Sequence, residues 1–430
     1  MATTFRDYIN QKKDTYFLKE GGVAGHMAHL YDNRDLTFTK LKEILSAASE
    51  GQIEGTEKTD GQNLFISYSV KDGKAKAARN KGNIKNGGMD AQQLATKFEG
   101  RGALEKAFVD AFSVFERAVR SLSPQQQEKI FGPDAEIFYN AEIMDPRSPN
   151  VINYDKKTLL IHQVGHAYFN RETGNIVDVD VKANADALDR ALSIMQDAIQ
   201  DEDYSIIKNA VRQLERLDDD VALGQALTNI EAFQNRYGLS DDNTINDYLI
   251  EYIGKYLEKV FPTGTLPLDV KNKLVNKILG VKGLNITQIA KDLPPEAKAI
   301  AGQINKEAGN IIKRAIYPLE DIVHDFTVEM LKGLQSAFVI DNSKEVKRLR
   351  AEVQKAINAI QNSNNEIAHE VLKQQLKKLK KIENVSSAAE GFVFDYDGQT
   401  YKFTGNFAPT NQLLGLFKYG RAGVKPEEFI

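Results

Sequence analysis

The sequence predicts an α+β protein in which a strand-rich fold is split by a large all-α insertion. Three observations carry this. From Gly55 to about Ala183 the chain holds most of its alternating, strand-like runs. From there to about Glu383 nearly every apolar position falls at helical three-to-four spacing. Strands return after Asn384, in a segment too short to fold alone. One β fold interrupted by helices explains this order more simply than three independent domains. The expected division is 1–184, 185–384 and 385–430.

The elements follow in order. A short helix, about Thr4–Gln11, precedes a Gly- and His-rich loop, GGVAGHMAHLYDN. Leu36, Phe38, Leu41, Ile44 and Leu45 give a helix that Gly51 stops. NLFISYSV and KAKAAR, joined by Asp72-Gly73, read as a hairpin. Asp90 to about Gln127 reads as helix broken by Gly-Arg-Gly at 100–102. AEIFYNAEI, TLLIHQVGHAYFN and NIVDVDV read as strands. Among the expected helices are ADALDRALSIMQDAIQ, YSIIKNAVRQLERL and TINDYLIEYIGKYLEKVF. Two longer helical segments close the block, the second breaking into a hairpin near Asn362–Asn365. GFVFDYDGQTYKFTG is a hairpin by its Asp397-Gly398 turn.

Composition removes several chemistries. The 430 residues include no cysteine, which excludes disulfides, thiolate zinc sites and cysteine nucleophiles. A net charge of −4 gives no support for nucleic-acid binding, although a local basic stripe is enough to hold phosphates. No apolar run approaches the ~20 residues that span a bilayer. The charged N-terminus lacks the apolar stretch of a signal peptide, so a cytoplasmic protein is expected. No phosphate-binding G-x-x-x-x-G-K-[ST] loop is present.

One constellation carries chemistry. The segment Glu57-Lys58-Thr59-Asp60-Gly61-Gln62-Asn63 places a lysine before an Asp-Gly turn. Alone this is a weak pattern that reads first as a solvated surface turn. Its neighbours add to it. Arg79 ends KAKAAR, Glu142 lies in Phe138–Ile143, and Leu159–Val164 follows as a further strand. Near the C-terminus stand Ala389-Glu390-Gly391-Phe392-Val393-Phe394 and then Tyr401-Lys402-Phe403-Thr404.

In this order these segments resemble motifs I, Ia, III, IIIa, IV and V of the covalent nucleotidyltransferase superfamily, which includes ATP-dependent DNA ligases, RNA ligases and mRNA capping enzymes. The resemblance covers about Gly55–Ala183 and Val385–Arg421. It implies a ligase-type fold of ATP-grasp-like antiparallel sheets, with the all-α insertion outside it. It implies that Lys58 attacks the α-phosphate of a nucleoside triphosphate and forms a lysyl-AMP intermediate. Glu57, Asp60, Gly61, Arg79, Glu142, Glu390 and Lys402 would bind the nucleotide. Glu142 would accept hydrogen bonds from the ribose hydroxyls, and Lys402 would hold the α-phosphate as a point charge. Glu390 would help hold Mg²⁺ (or Mn²⁺) at ATP. Two departures stand out. His162 and Gln163 occupy positions where the superfamily has an aromatic and an acid, and Thr404 replaces a second lysine. Lys418 and Arg421 are later basic residues that could supply the missing charge.

Other features remain open. His26, His29 and Asp32 suggest either a weak metal site or a structural loop beside the nucleotide. His162 and His166 are read as packed or hydrogen-bonded. Lys373, Lys377, Lys378, Lys380 and Lys381 form either a solvated helix end or a contact for an RNA or DNA backbone.

Only about 25 residues follow the last motif, too few for the C-terminal OB domain of DNA ligases and capping enzymes. The texture is similar to ligase-like proteins of large tailed bacteriophages, whose location would be the host cytoplasm. The expected function is RNA-ligase-like sealing of 5′-phosphate and 3′-hydroxyl ends. Nucleotidyl transfer to another acceptor, or a non-catalytic binding protein on the same fold, are the alternatives.

Overall fold

The structure is a computed structural model and describes residues 27–163, 165–178 and 182–418. The expected helix at Thr4–Gln11, His26 and Arg421 lie outside the described residues. The chain is mixed α+β, and its sheets are antiparallel apart from one parallel pair.

Helix α1 (Phe38–Ser49) starts at Thr37, whose side chain accepts the Lys40 amide and satisfies a free helix-end donor. Phe38, Leu41, Ile44, Leu45 and Ala48 bury its inner face. Strand β1 (Glu54–Lys58) follows, and only Thr59-Asp60-Gly61 separates it from β2 (Gln62–Ser69). These two strands belong to different sheets.

The second sheet joins β2 to β3 (Lys74–Ala78) and to β4 (Ile137–Met144), and β4 to β5 (Thr158–Ile161). The short strands β6 (Ala167–Asn170) and β7 (Asn175–Asp178) hang from β4. Between β3 and β4 lie α2 (Ala91–Phe98), α3 (Ala103–Arg120) and α4 (Pro124–Phe131). Alternation decides which face they cover. Leu64, Ile66 and Tyr68 pack with Phe108, Phe112, Phe115 and Phe131 of the helices. Phe65 belongs to the opposite face, with Ala78, Phe138 and Phe169.

The helical region differs from expectation in two ways. Helix α5 (Lys182–Asp197) is not detached from the first part, because Leu188, Ala191 and Met195 join the core of the second sheet. Residues expected to be helical around 205–213 instead form β8 (Ser205–Lys208) and β9 (Val211–Gln213). Strand β8 runs parallel to β5 in the second sheet, and β9 pairs with β1 in the first. The apolar residues Ile206, Ile207 and Val211 fit helical spacing as well, and strands this short leave no period to read. Pairing with existing strands decides their conformation.

The longer helices between β9 and β10 are α6 (Val221–Tyr237), α7 (Ile245–Val260), α8 (Leu268–Ile278), α9 (Pro295–Met330), α10 (Asn342–Gln361) and α11 (Glu366–Leu379). Helices α1 and α6 to α9 share one core with Phe392, Phe394 and Phe403 of the first sheet. That sheet is completed by β10 (Gly391–Tyr396) and β11 (Gln399–Phe403), in the order β11-β10-β1-β9. Helix α12 (Phe407–Lys418), not anticipated from the sequence, packs with α10 and α11 through Leu413, Leu414 and Leu416. Helix α5 thus packs with the second sheet, and Val385 packs in the cluster of α10, α11 and α12. No described helix is long and apolar enough to cross a membrane.

Candidate functional site

The two sheets meet where β1 ends. Lys58 is its last residue and lies opposite Gly391, the first residue of the antiparallel β10. Glu390 therefore stands one step from the cross-strand partner of Lys58. Lys58 Nζ and Glu390 Oε1 form an ion pair, although 332 residues separate them in the chain. The side chains are only 11% and 10% exposed, so the pair is poorly screened by water.

Register places Lys402 with them. Thr56 lies opposite Val393, and Val393 opposite Lys402. Thr56, Lys58 and Lys402 thus share one sheet face, while Glu57 faces the other way. Lys402 is buried there.

The turn after Lys58 brings two more carboxylates. Asp60 Oδ2 accepts the amides of Val151 at 2.6 Å and Ile152 at 2.8 Å, and its own amide donates to Tyr154 Oη at 2.7 Å. Burial and the nearby Glu390 charge push the Asp60 carboxyl well above the usual range, against the two amides and Lys58. Glu142, on β4, accepts the Gly61 amide at 3.1 Å and the Thr59 hydroxyl. His162 Nε2 lies 3.6 Å from its other oxygen. Burial works to raise Glu142, but the His162 hydrogen bond and charge, Lys58 and Thr59 outweigh it and hold the carboxyl low. Gly61 is needed because a Cβ there would come 2.9 Å from the Ile143 carbonyl oxygen.

The structure thus groups Lys58, Asp60, Gly61, Glu142 and Glu390 at one end of both sheets, with Lys402 on the Lys58 face. It does not group every expected residue. The Glu57 carboxylate accepts the Ser336 hydroxyl and the Ala337 amide (2.8 Å), with Arg212 4.0 Å away. It ties β1 to the segment after α9 rather than facing the cluster. Arg79 lies on the helix-covered face of the second sheet. Its guanidinium sits 5.1 Å over the Phe108 ring and donates to the Asn63 carbonyl.

Of the lysine run only Lys378 is partly buried, and three of its members have partners. Lys378 pairs with Glu320, Lys380 with Asp325 at 2.8 Å, and Lys377 lies 4.9 Å over the Tyr317 ring. These contacts hold α11 against α9. Lys373, Lys377, Lys380 and Lys381 are exposed, and Lys418 ends α12.

His29 stacks on Tyr31 with centroids 4.9 Å apart, and its amide bonds Asp32 at 3.0 Å. Among the described residues no group of three or more His, Asp or Glu could hold a metal ion. His166 is buried, its Nδ1 accepting the Asn140 amide at 3.1 Å, and burial followed by His162 and Lys208 lowers it to about 4.

Sequence reasoning missed the Val151 and Ile152 amides, Tyr154 and Asn209. Asn209 Nδ2 donates 2.8 Å to the Glu57 carbonyl, bracing β1 from the β8–β9 crossing. Backbone donors leave no residue-type signal, which is why the first two were invisible. Comparison with protein-family models, curated proteins and solved structures found no match.

Proposed function

We propose that this chain is an ATP-dependent nucleotidyltransferase of the ligase type that forms a lysyl-AMP intermediate on Lys58 and passes AMP to a 5′-phosphate end, in the manner of an RNA ligase. The observation that carries the reading is the Lys58–Glu390 pair, which joins the first and the later motif across two strands of one sheet. Asp60, Glu142 and Lys402 around it are the residues that the resemblance requires there.

The chemistry follows from those groups. Glu390 releases the Lys58 ammonium, which gives a proton to solvent and becomes a nucleophile. Nζ attacks the α-phosphorus, the bond to the bridging oxygen breaks, and its electron pair leaves with pyrophosphate. The nitrogen gives a second proton to solvent, leaving a phosphoramidate. A 5′-phosphate oxygen then displaces Lys58, and a 3′-hydroxyl displaces AMP. Lys402 supplies positive charge on the face where the α-phosphate is attacked. Mg²⁺ or Mn²⁺ would arrive with the triphosphate, where Glu390 would help hold it.

The acceptor is tested by incubating chain labelled from α-labelled ATP with 5′-phosphorylated RNA, 5′-phosphorylated DNA or no nucleic acid. Label moving to RNA supports RNA sealing. Label retained with both nucleic acids points to another acceptor.

A further inference from the structure

The amides that hold Asp60 belong to the segment between β4 and β5, and helix α10 holds that segment. The Arg348 guanidinium donates to the Val151 carbonyl oxygen at 2.6 Å. It also pairs with Glu345, which accepts the Asn153 amide at 2.8 Å. Glu345 and Arg348 are one helical turn apart, so both reach the same segment. Glu345 is buried, and the Ile340 amide just before α10 bonds the Asp155 carboxylate.

One peptide unit joins the two ends of this chain of contacts. The bond linking Val151 to Ile152 receives Arg348 on its carbonyl and gives its N–H to Asp60. A cation on the carbonyl polarises the peptide and strengthens the N–H as a donor.

We propose that Arg348 is a positioning residue for the Lys58 site, fixing the Val151–Ile152 peptide so that Asp60 is held in one place two residues from Lys58. The helices between the strand-rich parts thereby take part in building the site. This rests on the lysyl-nucleotide reading of Lys58; the contacts from Arg348 to Asp60 do not.

The test uses the full chain, ATP and Mg²⁺. Arg348→Met keeps the aliphatic stem and removes the fork. It should label Lys58 roughly 10- to 100-fold more slowly, the scale at which a small misplacement acts, with the KM for ATP little changed. Weaker amide donation to Asp60 raises the pH at which that carboxylate ionises, so the acid limb of the labelling profile should move up. Hydrogen exchange at the Val151 and Ile152 amides should speed up while β2 and β4 stay protected. Arg348→Lys keeps the charge without the fork and should recover part of each.

A folded Arg348→Met with wild-type rate, acid limb and amide protection overturns the positioning role alone. A wild-type chain that takes no label overturns the reading of Lys58 and the positioning role with it, while the exchange data still report the clamp. If Arg348→Met does not fold, Arg348→Lys decides. Slower labelling with a raised acid limb supports the role, and wild-type behaviour overturns it.

Discussion

Lys58 and Glu390 stand 332 residues apart in the chain and close an ion pair at the end of two adjacent strands. With both side chains about a tenth exposed, removing either partner leaves a charge that water only partly solvates. Each single replacement, Lys58→Met or Glu390→Gln, is expected to destabilise the fold. The double variant should lose less than the sum, with a coupling of about 1–3 kcal/mol in urea denaturation. Strict additivity would show that the pair contributes nothing to holding the two strands together.

How much of this was legible follows from the kind of signal each part leaves. The Asp72-Gly73 and Asp397-Gly398 turns, the helix stop at Gly51 and the alternation of β4 are local, and all were readable. The grouping of Lys58, Asp60, Glu142 and Glu390 was readable only through motif order. Strands β8 and β9 were not, because three or four residues carry no period and their partners lie far away in sequence. The partners of Glu57 and Arg79 were not legible, because motif order does not report that Ser336 or Phe108 comes from elsewhere in the chain to meet them.

His166 gives the fold an acid sensitivity. Its pKa is lowered to about 4, below the value near 6.5 of an exposed imidazole. The unfolded chain therefore takes up a proton that the folded chain refuses. Stability from this group is complete above about pH 6.5 and falls as pH drops toward 4. At pH 4.5 the loss should be about 2–3 kcal/mol relative to pH 7. Asparagine can still accept the Asn140 amide and has nothing to titrate. Urea midpoints at the two pH values should thus separate less for His166→Asn than for wild type, and equal separations would remove His166 as the cause.

Lys378 and Lys380 are held by Glu320 and Asp325, so they are expected to stabilise helix packing rather than to neutralise phosphates. The double alanine variant should leave the salt dependence of binding to single-stranded RNA unchanged. If both lysines contact phosphates, the slope of log affinity against log salt should shrink by about 1.4.

The central claim concerns the Lys58 amine, and covalent labelling tests it most directly. The full chain is incubated with each α-labelled nucleoside triphosphate in Mg²⁺ or Mn²⁺, denatured and digested. The account predicts label from ATP on the peptide that contains Lys58, released by pyrophosphate and absent from Lys58→Ala. Wild-type chain that takes no label from any of the nucleotides, or label that persists in Lys58→Ala, would contradict it.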